Sequence, residues 1–161
     1  MDLLQKDIRE KVRNHAGSPF AVFDFDNTCI VNDIEEATFA YLCKNGLLKD
    51  KTLLGEKADN DYHEHVFTHY YELLDEGKTE EAYMLCAQMF SHFTPQGAEA
   101  VTLTAIKEEG NELGTQVIFG RTIAKGLRVR PQVRLLMEFL QRLDVWCGLL
   151  VVPLKLLCIL L

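Results

Sequence analysis

Hydrophobic positions recur at intervals of three and four along most of the chain, and this spacing predicts a succession of amphipathic helices. Leu3, Leu4, Ile8 and Val12 stand among many charges and predict a first helix that stops at Gly17. The pattern then changes. Phe20, Ala21, Val22 and Phe23 form an uncharged, aromatic and β-branched run, the signature of a buried strand in a parallel sheet. Asp33 followed by Glu36 has the spacing of a capping box, and Ile34, Ala37, Thr38, Tyr41 and Leu42 continue at helical intervals to Asn45 and Gly46. Tyr62, His65, Val66, His69, Tyr70, Leu73 and Leu74 predict another helix, ending at Gly77. From Thr79, the positions Ala82, Leu85, Cys86, Met89 and Phe90 predict one more, broken at Thr94-Pro95. Weaker helical patterns cover 98–109 and 117–125, so residues 33–125 are expected to be all-helical. Arg130-Pro131 then opens a helix carrying Leu136, Phe139, Leu140 and Leu143 on one face, and a strand is expected from about Val145.

Composition narrows the class of protein. A chain of 161 residues holds one domain with a real core, or a small core plus an insertion. Its 48% hydrophobic and 25% charged content is that of a globular protein, and the formal charge of -7 disfavours a general nucleic-acid binder. The five cysteines show no metal-ligand spacing and their odd number argues against a disulfide framework, so a cytoplasmic location is the expectation.

The candidate chemistry lies where the first strand ends. Asp24 and Asp26 are carboxylates one residue apart at the carboxyl end of that strand, followed by Asn27 and Thr28. Parallel sheets place their chemistry at this edge. One carboxylate can attack phosphorus while a second protonates the leaving oxygen, and Mg²⁺ nearby spreads the charge. The competing reading is a polar turn, since Asp, Asn and Thr all favour turns.

The stretch Asp24-Phe25-Asp26-Asn27-Thr28 after an apolar strand resembles the first signature of the haloacid dehalogenase superfamily, in its phosphoserine and phosphocholine phosphatase branch. Gly126-Leu127 through Arg130-Pro131 and the helix after it look like that family's return from an inserted cap to its core. The resemblance spans roughly 18–146. It implies an α/β fold with an incomplete Rossmann-like core of parallel strands at 1–32 and 126–161, and a large all-helical cap at 33–125. It also implies a Mg²⁺-dependent phosphomonoester hydrolase acting through an aspartyl-phosphate on a small phosphorylated metabolite such as phosphoserine or phosphocholine. Asp24 is then the nucleophile and a metal ligand, and Asp26 the acid and base, also on the metal. Asp33 and Thr28 fall on the substrate side, Thr28 chiefly as a stabiliser of the turn. For Asp33 the N-cap reading of the helix it precedes stands beside the substrate reading.

The family's later signatures have no counterpart here. No Ser or Thr follows Thr122, and the acidic pair expected further on is absent. From Cys147 the chain ends in 15 mostly apolar residues interrupted by Pro153 and Lys155, short of the roughly 20 that span a bilayer. Three origins are open for this tail: an aberrant end replacing the rest of the core, a membrane-associating segment, or an eccentric completion of a reduced fold. The first is favoured, with impaired activity, no membrane span and self-association through the tail as its corollaries. The non-enzyme alternative is an inactive truncated chain or a partner-binding helical module. His65 and His69, four apart, are read as packed on the apolar face of their helix rather than as metal ligands.

Overall fold

A computed structural model describes residues 2–55 and 60–150, with the side chains of 2–4 and 150 left aside. Its elements in chain order are α1 (Asp2–Arg13), β1 (Phe20–Asp24), β2 (Ile30–Val31), α2 (Ile34–Lys44), α3 (Tyr62–Asp75), α4 (Thr79–Ala87), α5 (Pro95–Glu109), β3 (Gly114–Ile118), β4 (Arg121–Lys125), β5 (Arg128–Val129), α6 (Pro131–Gln141) and β6 (Trp146–Leu150). The chain divides into two compact units. One comprises 1–31 and 129–161, the other 32–128.

In the first unit β1 and β6 pair in parallel, with Phe20 opposite Trp146, Val22 opposite Gly148 and Asp24 opposite Leu150. Trp146 N donates to the Pro19 carbonyl at 3.1 Å, which starts the ladder. Pro131 occupies the first turn of α6, where a missing N–H costs nothing. Among the described residues of this unit, Cys29, Ile30, Leu140 and Val145 are the buried apolar ones. β1 is therefore paired as expected and yet is not a buried strand. Phe20 is 69% exposed, Val22 53% and Trp146 67%. The reason is that this sheet has two strands among the described residues, and alternate side chains of β1 face solvent.

The second unit holds the hydrophobic core. Phe39, Leu42 and Cys43 of α2 pack with Val66, Phe67 and Tyr70 of α3 and with Ala82, Cys86 and Met89. Aromatic rings interlock, Phe39 with Tyr70 at 4.8 Å and Phe67 with Tyr71 at 4.8 Å between centroids. Thr94 caps α5 by accepting the Gly97 N–H, and Pro95 opens the helix.

The all-helical expectation for 33–125 is corrected here. β3 and β4 form an antiparallel hairpin in which Ile118 pairs with Arg121 and Gly114 with Lys125. Phe119 and Gly120 make the two-residue turn, both with positive φ (47° and 76°), the geometry that a right-twisted hairpin favours. Ile118 and Ile123 deliver its buried side to the helical core. The helical periodicity read over 117–125 yielded to five β-branched residues, Thr115, Val117, Ile118, Thr122 and Ile123, flanking that turn.

The two ends of the second unit are tied together. Asn32 Nδ2 donates to the carbonyls of Gly126 at 2.8 Å and Lys125 at 3.3 Å, while Glu109 accepts the Gly126 N–H at 2.9 Å. Gly126 has φ 90°, and a Cβ there would collide with the Glu112 carbonyl, so only glycine fits.

Candidate active site

Asp24 is the last residue of β1, and its side chain is exposed at the carboxyl end of that strand. The chain does not continue as a strand. Asp26 keeps extended angles (φ -68°, ψ 138°), and Asn27 then turns into the left-handed region (φ 56°, ψ -5°), a conformation that asparagine tolerates. This reversal lets Ile30 N–H reach back to the Phe25 carbonyl and closes a tight turn over 25–30.

The turn brings Thr28 back onto the strand end. Its hydroxyl donates to Asp24 Oδ2 at 2.7 Å, which fixes the rotation of that carboxylate. The Cys29 thiol donates to the Asp24 backbone carbonyl at 3.0 Å. Burial pushes the Cys29 thiol's pKa up, and the negative charges of Asp24 and Asp26 push it in the same direction, so the thiol stays protonated. Asp24, Asp26 and Thr28 thus belong to one turn. Among the described residues, no group of three or more His, Cys, Asp or Glu side chains converges as a metal cage. Two carboxylates with a neighbouring backbone carbonyl are nevertheless hard oxygen donors, the class that Mg²⁺ takes when it retains waters and binds a substrate phosphate.

Asp33 lies in the other unit. It is the N-cap of α2 and accepts the Glu36 N–H on Oδ1 at 3.0 Å. Glu36 is half-buried, and burial raises its pKa, with the charge of Asp33 adding to the effect.

The histidine expectation is corrected. His65 and His69 are exposed rather than packed on the apolar face. At about 100° per residue, the buried arc of α3 runs through Tyr62, Val66, Phe67, Tyr70, Tyr71 and Leu73, and both histidines stand just beyond its edge. They line an open groove with Leu53, Leu54, Glu81 and Met84. Arg121 is engaged with Asp75 through two hydrogen bonds of 2.9 and 2.8 Å, and its guanidinium lies 4.5 Å from the Tyr71 ring centre. Arg130, which in the sequence marks only the opening of a helix, donates to the Asn27 and Ile30 carbonyls of the turn. Its position immediately before Pro131, at the start of α6, was the available signal.

Fold and site together define an α/β protein with a parallel strand pair that ends in an Asp-x-Asp-x-Thr turn, and a separate, mostly helical unit. No model of a protein family matches the chain, and no curated protein matches it. It is similar in structure to a conserved, functionally unknown protein from Anaerococcus prevotii DSM 20548 known from a crystal structure. The TM-score is 0.54 at 16% identity, over 91% of this chain and 59% of that one. At that identity the likeness is one of fold, and this chain spans about three fifths of its neighbour's length.

Among the described residues, no helix is long and apolar enough to cross a membrane. The free cysteines there are Cys29, Cys43, Cys86 and Cys147. The tail reading, with the self-association drawn from it, falls mainly on 151–161, outside the described residues.

Proposed function

We propose that the chain is a phosphomonoester hydrolase of the haloacid dehalogenase type, with an inserted cap, acting on a small phosphorylated metabolite in the cytoplasm. The observation that carries this reading is the Asp24–Thr28 turn: two carboxylates at the carboxyl end of a parallel strand, one of them oriented by a hydroxyl at 2.7 Å. Asp24 attacks phosphorus, the ester P–O bond breaks, and the leaving oxygen takes the proton of the Asp26 carboxyl. Asp26, now a carboxylate, takes a proton from the water that cleaves the aspartyl-phosphate, which frees phosphate and restores both side chains. Asp24, Asp26 and the Asp26 carbonyl would hold Mg²⁺, which neutralises charge on the transferred group.

The test is acid-quenched labelling with a radiolabelled phosphomonoester and Mg²⁺. Label on the wild-type chain that is absent from Asp24→Asn supports the reading, and equal turnover by both sinks it. The exposed β1–β6 sheet favours a second reading, a catalytically inactive chain, and absence of both label and turnover selects it.

A further inference from the structure

Arg130 is separated from the Asp24–Thr28 segment by about a hundred residues of sequence, yet its hydrogen bonds converge on 27–30, the part of the turn that follows the two carboxylates. Its backbone N–H donates to the Cys29 carbonyl at 2.8 Å, Nε to the Ile30 carbonyl at 3.3 Å, and Nη2 to the Asn27 carbonyl at 3.2 Å. The three acceptors lie within four residues, and one of them, Asn27, is the residue held in the left-handed conformation. Arg130 is also the N-cap of α6, followed by Pro131, so its backbone is set by a helix start that cannot slide. A rigid element thereby grips the part of the turn that reverses the chain after Asp26.

We propose that Arg130 is a positioning residue that holds the Asp24–Thr28 turn in its working shape, a role whose catalytic consequence rests on the phosphatase reading. The fork of the guanidinium matters as well as its charge. Nε and Nη2 point in fixed, different directions and serve two carbonyls at once, which the single ammonium of lysine cannot reproduce. Without the fork, Asn27 loses a partner that holds its carbonyl in place, and the peptide linking the two carboxylates to Thr28 gains freedom. Displacement of a reacting group by about 1 Å costs on the order of a hundredfold in rate.

The experiment compares wild type, Arg130→Lys and Arg130→Gln by amide hydrogen exchange and by turnover of an aryl phosphate with Mg²⁺. Both variants are expected to exchange faster, by about tenfold, over 25–30 while α2 and α3 are unchanged. The expected kinetic signature is a kcat lowered about a hundredfold with KM within about threefold, and no rescue by lysine. Arg130→Lys keeps the stem and charge, so it carries the comparison if Arg130→Gln fails to fold. Unchanged exchange over 25–30, or a raised KM with kcat intact, overturns the positioning role. Faster exchange with turnover that depends on Asp24 but not on Arg130 overturns it too. If exchange accelerates while Asp24→Asn proves silent, the grip stands and the phosphatase reading has failed.

Discussion

Two phenylalanines at opposite extremes of burial make a direct test of where this protein keeps its stability. Phe67 in α3 is 0% exposed, with its ring 4.8 Å from that of Tyr71 and 5.4 Å from that of Phe119. Phe67→Ala removes a ring from a packed core and is expected to cost about 3 to 5 kcal/mol. The second unit, 32–128, has 97 residues. At about 0.05 to 0.15 kcal/mol per residue, its whole stability is roughly 5 to 15 kcal/mol, so this one change removes roughly a third to a half of a mid-range value. Phe20→Ala, by contrast, acts on a side chain already 69% exposed and is expected to fall within about 0.5 kcal/mol of wild type. Urea unfolding followed by helical circular dichroism reports chiefly on the second unit, which holds α2 to α5. The single tryptophan, Trp146, pairs with Phe20 in the sheet and reports on the first unit by its fluorescence. An equal cost for the two substitutions would refute the reasoning. It would mean that the Phe20 face is covered in solution, by a second copy or by another segment.

Asp33→Ala should lower stability by about 1 kcal/mol through loss of the cap on the Glu36 N–H, while Asp33→Ser should restore most of it, measured as the urea midpoint of the helical signal. Glu36 binds its proton more tightly folded than unfolded, so its favourable contribution is complete below the ordinary glutamate pKa and is lost as pH rises through the raised value. Glu36→Gln should therefore flatten that part of the pH profile and match or exceed wild-type stability at pH 7. Thermal melts across pH 4 to 8 check this, and a variant less stable at neutral than at acidic pH would contradict it.

Much of the architecture was legible where a local signal and the tertiary outcome agree. The ends of α2 follow from Asp33 and from Asn45-Gly46, because capping needs only backbone groups within one turn. The start of α6 follows from Pro131, and β6 from the apolar run after Val145. The Asp24–Thr28 turn was legible for the same reason: its carboxylates and hydroxyl come from neighbouring residues, and the bond from Thr28 to Asp24 spans four positions. The hairpin of β3 and β4 was less so, since isolated five-residue strands show no pairing partner.

What the tertiary structure alone decided concerns surfaces and distant partners. An apolar strand reads the same whether both faces are covered or one is bare, and the exposure of Phe20, Val22 and Trp146 depends on what packs above them. The helical arc that excludes His65 and His69 is set by what lies against α3, not by their spacing. The attachment of Arg130 to the Asp24–Thr28 turn joins residues a hundred positions apart, and only folding brings a guanidinium to those carbonyls. Local chemistry is written in adjacent residues, whereas burial and long-range hydrogen bonds are properties of the whole packed chain.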